Sequence, residues 1–203
     1  MTSESTPRLN RRRFLVAGAA VGGVLAAPAV LAQSGTAGRA QMETDVRETV
    51  RHNIMGFTPR RWRDHFSSLR GGAILCDTLS RCVHYWSEDQ RIYRLYPSSV
   101  PMTDQMTRRG RTRVVQKVVG PSWSPTANMR RRDPGLPAFV PPGPDNPLGT
   151  HALYLSWQYY RVHGTNDDRK IGRRASNGCI GLYNHHIEEL FSYARVGTQV
   201  LLI

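Results

Sequence analysis

The 203-residue chain carries 28 Lys and Arg against 15 Asp and Glu, a formal net charge of +13, and is 39% hydrophobic and 8% aromatic. That apolar content suffices for one globular domain and a short extra segment, and is too small for two full domains. No fixed-period repeat, sustained heptad or low-complexity block is present apart from one Pro/Gly-rich stretch, so solenoids and long coiled coils are excluded.

Residues 1–32 read as a targeting segment. Arg11-Arg12-Arg13-Phe14-Leu15 precedes an apolar run from Val16 to Val30, followed by Leu31-Ala32. The run is interrupted by Gly18, Gly22, Gly23 and Pro28 and falls short of the roughly twenty residues needed to span a bilayer. It resembles a twin-arginine export signal cleaved near Ala32; the other reading is a single membrane anchor. No cysteine follows the run, so a lipid anchor is not indicated. Removing it leaves a charge of about +10 by side-chain count. Basic runs such as Arg108-Arg109-Gly110-Arg111-Thr112-Arg113 and Arg130-Arg131-Arg132 would suggest nucleic acid in a cytosolic protein. Export argues against nucleic acid and leaves two readings: steering of anionic envelope partners, or plain solvated surface.

Residues 33–71 are expected to form a linker and a peripheral helical segment, with short helices over Met42–His52 and Arg60–Leu69 on either side of Thr58-Pro59. The domain itself is expected over residues 72–203 and to be mainly β. Ala73–Asp77, Cys82–Trp86 and Arg91–Tyr96 are rich in Val, Ile, Tyr and Trp and separated by polar turns. A hairpin symmetric about Leu79 would set Cys76 opposite Cys82, where a disulfide is possible; two unbonded buried thiols are the alternative. A strand is expected over Arg111–Val119. Asp133–Gly149, with six prolines and three glycines, is expected to be an irregular loop walling a groove.

Strands resume at Ala152–Trp157 and Tyr159–His163. Asn184 is expected to cap a helix whose Ile187, Leu190, Phe191 and Ala194 form one apolar stripe, with Glu188 and Glu189 near its N-terminus. Gly197 should end it, and Gln199–Ile203 should form a last strand.

The chemistry-bearing residues cluster late in the chain. Cys179 has no obvious disulfide partner and follows a glycine, which lets the backbone pack tightly and aim amides at a developing oxyanion. His163 lies sixteen residues upstream, at the end of a strand where its imidazole can emerge into a cleft and serve as a base. Taken alone, a cysteine and a histidine at that spacing read by default as a buried structural thiol beside an unrelated imidazole. His185-His186 lacks further ligands at helical spacing and does not read as a metal site. His151 and Tyr154 read as surface, groove or core positions, and Asp167-Asp168 as a solvated turn.

His163-Gly164-Thr165-Asn166, Ile171-Gly172, Ser176-Asn177-Gly178-Cys179-Ile180 and Asn184 with the following helix closely resemble the catalytic region of the L,D-transpeptidase family, the YkuD domain. Trp123-Ser124-Pro125-Thr126, Asn146-Pro147-Leu148-Gly149 and Ala152-Leu153-Tyr154-Leu155 extend the likeness over roughly residues 72–203. The resemblance implies a YkuD-like β-sandwich with one amphipathic helix after the cysteine. It implies an exported, periplasmic enzyme that forms a thioester with a peptidoglycan tetrapeptide stem, releases D-alanine and passes the acyl group to an amine. By position Cys179 is the nucleophile, His163 the base, and the Gly164 carbonyl the group that orients the imidazole. Gly178 and Cys179 amides are the expected oxyanion donors. Ser176, Asn177, Thr165, Asn166 and Trp123 are the expected substrate-binding residues.

No metal or cofactor is implied, the expected partners are peptidoglycan stem peptides, and a monomer is expected. Activity is expected to fall on acidification as the thiolate is protonated. Two positions depart from the family pattern. Gly181 stands where an arginine commonly follows the cysteine-isoleucine pair, and Asn177 where histidine, lysine or serine is often found. The first departure motivates an alternative, a weak or inactive peptidoglycan-binding module; water as acceptor would instead give an L,D-carboxypeptidase.

Overall fold

The computed structural model describes residues 58–203, so the segment read as an export signal and the expected Met42–His52 helix lie outside the described residues. The strands are β1 (Ala73–Asp77), β2 (Cys82–Trp86), β3 (Tyr93–Pro97), β4 (Val100–Pro101), β5 (Gly110–Val119), β6 (His151–Leu155), β7 (Arg161–His163), β8 (Arg174–Ser176), β9 (Ile180–Gly181) and β10 (Gln199–Leu202). The helices are α1 (Ala127–Arg132) and α2 (Asn184–Tyr193). Eight strands form one sheet in the order β3-β2-β1-β10-β5-β6-β7-β9, and β4 pairs with β8 apart from it.

β5 joins the two halves of the curled sheet. Its first part, Gly110–Arg113, pairs with β10, and Val114–Val119 pair with β6 after a register irregularity between Val114 and Gln116. Such a bulge bends a strand and increases its twist. The concave faces of both halves therefore contribute to one core: Ile74, Cys76, Val83 and Tyr85 from one side, Leu153, Leu155, Val162 and Ile180 from the other, with Ile187 and Leu190 of α2 packed in. Each such aliphatic side chain contributes about 1.5–3 kcal/mol by leaving water.

A second cluster lies on the opposite face of β1 and β2, where Phe66 and Leu69 meet Ala73, Leu75 and Trp86. The expected Arg60–Leu69 helix is here a single 3₁₀ turn, Trp62–Asp64. Carbonyls that a helix would use internally are spent elsewhere, since Gln199 Nε2 donates to Ser68 O and Arg70 O. The two apolar anchors reach the sheet from irregular backbone.

The disulfide reading fails on register. Cys76 pairs with Val83 and Cys82 with Asp77, so the hairpin is centred between Leu79 and Ser80, half a residue from the expected axis. Cys76 consequently joins the main core while Cys82 belongs to the other face, and no disulfide joins them. Asp77 fixes this turn by accepting from the Leu79 and Ser80 amides at 3.1 and 2.9 Å.

α1 was not anticipated. Its signal is Thr126, whose side chain accepts from the Met129 amide as an N-cap. The 133–149 segment is irregular as expected and is organised by Asn146, which is fully buried. Its Nδ2 donates to Pro121 O and Pro141 O, and its Oδ1 accepts from Leu148 N. Among the described residues no helix is long and apolar enough to cross a membrane.

Candidate active site

β7 and β9 run parallel, with Val162 beside Ile180 and His163 beside Gly181. Val162 and Ile180 enter the core, so the alternation of side chains sends Arg161, His163, Cys179 and Gly181 to the opposite face. Two residues of each strand thus make a small array: Arg161 lies across from Cys179, one residue before the paired span, and His163 across from Gly181. Diagonal neighbours on adjacent strands are within reach of a long or aromatic side chain, which relates His163 to Cys179.

The imidazole is held by its own chain. His163 Nδ1 lies 2.5 Å from Gly164 O, and because a carbonyl only accepts, Nδ1 carries the proton and Nε2 keeps its lone pair. Burial lowers the His163 pKa to about 4, opposed by the Gly164 hydrogen bond and aided by the positive charges of Arg161 and Lys170. The imidazole is therefore neutral at neutral pH.

The backbone behind it is tied by Asn184, which does not cap α2 as expected. The N-cap position is Tyr183, without a side-chain bond to the helix. Asn184 Oδ1 instead accepts from Thr150 N at 3.2 Å and Thr165 N at 3.1 Å, and Nδ2 donates to Thr165 O at 2.9 Å. Glycine is required on both sides of this side chain: a Cβ at Gly149 or Gly164 would stand 2.2 Å from Asn184 Oδ1, and Gly149 has φ +63°.

Cys179 Sγ is partly exposed and donates to Tyr159 O at 3.2 Å. Burial pushes its pKa up, while the neighbouring Arg161 pulls it down. Gly178 turns the chain into the cysteine at φ +135°, a conformation that strains other residues, and packs over Tyr160, whose hydroxyl donates to Met106 O. Gly178 N–H reaches Ser176 Oγ at 3.3 Å, and that hydroxyl donates to Cys179 O.

The rim comes from α1 and the long loop. Arg132 of α1 donates to Asn177 Oδ1, and Asn166 Nδ2 donates to Asp145 O at 3.0 Å. One expected groove residue is placed otherwise. Thr165 is buried, with its amide, carbonyl and hydroxyl engaged by Asn184 and Asp167, so it belongs to the frame of the site and not to a substrate surface. Trp123 exchanges backbone bonds with Val140 of the long loop.

Ser99 was not singled out from the sequence. It exchanges backbone hydrogen bonds with Gly181 at 2.8 and 3.1 Å. A Cβ at Gly181 would lie 2.3 Å from Ser99 Oγ and 3.9 Å from His163 Cε1. Among the described residues no group of three or more His, Cys, Asp or Glu side chains is arranged to hold a metal.

The domain is a curled, mainly β sheet with a histidine and a cysteine on one face of neighbouring segments. The fold is similar to an L,D-transpeptidase structure from Xylanimonas cellulosilytica (residues 123–326), with TM-score 0.52 and 20% identity over 74% of this chain and 66% of that one. The L,D-transpeptidase catalytic domain pattern (YkuD) matches residues 71–202. The chain is 48% identical over 200 residues, 98% of its own length and 100% of the relative's, to a putative L,D-transpeptidase from the ATP synthase subunits region of Fuscovulum blasticum. It is 41% identical over 126 residues to the probable L,D-transpeptidase ErfK/SrfK of Escherichia coli, covering 60% of this chain and 40% of that protein. The chain belongs to the L,D-transpeptidase (YkuD) family and is an enzyme of that family.

Proposed function

We propose that the protein is an exported, periplasmic L,D-transpeptidase that remodels peptidoglycan through a thioester on Cys179. The observation that carries this reading is the pairing of a neutral His163, fixed by Gly164 O with Nε2 unprotonated, with a partly exposed Cys179 on the same face of β7 and β9. In the proposed cycle His163 Nε2 takes the Sγ proton and the thiolate attacks the carbonyl of the third residue of a tetrapeptide stem. The amides of Gly178 and Cys179 receive the oxyanion; the long Gly178 bond to Ser176 Oγ is readily exchanged for a charged acceptor. Collapse breaks the peptide bond, and the leaving D-alanine amine takes the proton from His163. An amine acceptor then attacks the thioester, His163 accepts its proton, and the thiol is restored. Water in place of the amine gives carboxypeptidase turnover.

Recognition of the stem falls, in this proposal, to Ser176, Asn177, Asn166 and the Arg132 that holds Asn177. Arg132 brings to the mouth of the site a positive charge that Gly181 lacks. Incubation with a disaccharide-tetrapeptide, followed by intact-mass and peptide mass spectrometry, tests the reading. The expected products are an acyl adduct on Cys179 and free D-alanine; absence of both identifies a binding module without turnover.

A further inference from the structure

We propose that Arg161 is a catalytic residue: its guanidinium lies against Cys179 and donates its Nε–H to Sγ as the thiol proton leaves for His163. The step moves one proton, from Sγ to His163 Nε2, and leaves the electron pair on sulfur facing a fixed cation.

Three observations place this group. First, continuing the β7–β9 register by one residue from the Val162–Ile180 pair sets Arg161 beside Cys179 on the face away from the core. Second, Arg161 Nη1 and Cys179 Sγ point at one carbonyl, Tyr159 O, at 3.4 and 3.2 Å. Third, Arg161 Nε is buried and has no hydrogen-bond partner. A buried donor of a charged group left without an acceptor is costly, and such groups in native proteins call for an explanation. A sulfur that is neutral at rest and anionic during the reaction supplies one. Because Nε is shielded from solvent, it is placed to meet the thiolate and not a carboxylate entering from outside.

The guanidinium is also held in place without being neutralised. It lies 4.5 Å over the Tyr154 ring, across the strand pair, and makes no ion pair with a carboxylate among the described residues. The other groups around the sulfur are accounted for. His163 on the same strand is neutral, Lys170 acts on His163, and Arg108 lies over Trp157 and beside Tyr160. Arg132 is engaged with Asn177, and Asp104 with Arg109 and Arg174.

The inference rests on Cys179 being the nucleophile proposed above, and its test needs no wall peptide. The probe is the pH dependence of iodoacetamide alkylation of the full chain, with Cys179→Ser giving the background from Cys76 and Cys82. An opposite charge at this range lowers a pKa by about 1–3 units. Arg161→Gln is expected to move the alkylation midpoint up by at least about one pH unit and to slow labelling at neutral pH about tenfold. Arg161→Lys is expected to recover most of the shift, which lost packing would not explain. An Arg161→Gln midpoint equal to wild type, or equal midpoints for the Gln and Lys variants, overturns the inference. If Arg161→Gln does not fold, Arg161→Met is read against Arg161→Lys by the same criterion. Absence of a stem-peptide adduct would instead count against the proposed function and leave the midpoint comparison readable.

Discussion

The Ser99 hydroxyl occupies the volume that a side chain at Gly181 would enter, 2.3 Å from the position of its first carbon, while the two backbones exchange a pair of hydrogen bonds. Residue 181 is therefore a glycine for a local reason. Gly181→Ala is expected to destabilise the protein by about 1–3 kcal/mol, the usual cost of overpacking a filled site. In a Ser99→Ala background the cost should largely vanish, because the remaining Ser99 Cβ would sit at an ordinary 3.7 Å. Thermal or urea unfolding of the four members of this cycle measures the coupling. Gly181→Arg alone should lower activity, because its side chain would start between Ser99 Oγ and His163 Cε1 and crowd both; equal stability with and without the serine hydroxyl would contradict the packing argument.

Asn184 gives the second prediction. Asn184→Ala leaves the Thr150 and Thr165 amides without their acceptor and Thr165 O without its donor. Unsatisfied buried groups cost about 1–3 kcal/mol each, and with three part-buried groups at the low end of that range a loss of about 3–4 kcal/mol in unfolding free energy is expected. The larger effect should be on the acylation rate, since Gly164, which orients His163, lies between the strand and this knot. Asn184→Asp keeps the acceptor and loses the donor, and should fall between. Acylation by tetrapeptide, compared with unfolding midpoints, separates the two effects.

What could be read in the sequence, and what could not, follows from how local each signal is. The strands β1, β2, β5 and β10 and the helix α2 carry their pattern in consecutive residues, and the structure places them within a few positions of the expected bounds. The adjacency of His163 and Cys179 was legible only through the motif, because parallel pairing of β7 and β9 is a long-range event. The Cys76–Cys82 reading missed because the Asp77 turn shifts the hairpin centre by half a residue, which exchanges faces. Asn184 looked like a cap because Asn before an amphipathic run usually is one. Its true partners, Thr150 and Thr165, are distant in sequence, as Ser99 is from Gly181. Arg161 falls within the expected Tyr159–His163 strand, and nothing along the chain announces its place beside Cys179, which comes from the pairing of β7 with β9.

The third prediction concerns pH and activity. Burial raises the Cys179 pKa and lowers that of His163 to about 4, so the resting pair is a neutral thiol and a neutral imidazole, in place of a preformed ion pair. His163 can accept a proton wherever it is unprotonated, hence above about pH 4. The acid limb of kcat/KM should fall near that pH, below the ordinary histidine range, and direct alkylation of the thiol should keep rising into the alkaline range. A pH–rate profile with stem peptide, run beside the alkylation profile, checks both limbs. An acid limb at the ordinary imidazole value would show that His163 is not held as described.

The fourth prediction concerns pH and stability, and it is carried by His84. This side chain is fully buried, stacked on Trp86 with ring centroids 5.7 Å apart, and its Nδ1 lies 2.9 Å from Tyr93 OH. Nε2 has no partner, and burial lowers the pKa to about 4, with Asp77 opposing the shift and Arg60 adding to it. The folded protein therefore binds fewer protons than the unfolded chain between pH 4 and the ordinary histidine value of 6.5. Stability must then rise with pH across that window, and the contribution is lost as pH falls from 6.5 toward 4. The shift corresponds to about 3 kcal/mol for complete protonation, at about 1.4 kcal/mol per pH unit. His163 titrates in the same direction over the same window. His84→Phe keeps a flat ring beside Trp86 and removes both the titration and the orphaned nitrogen. It should flatten the fall in unfolding midpoint between pH 6.5 and pH 4 by roughly half, with His163 supplying the remainder. Unfolding midpoints measured at half-unit steps across that window decide it: an unchanged slope in His84→Phe would mean that His84 does not set the acid sensitivity of the fold.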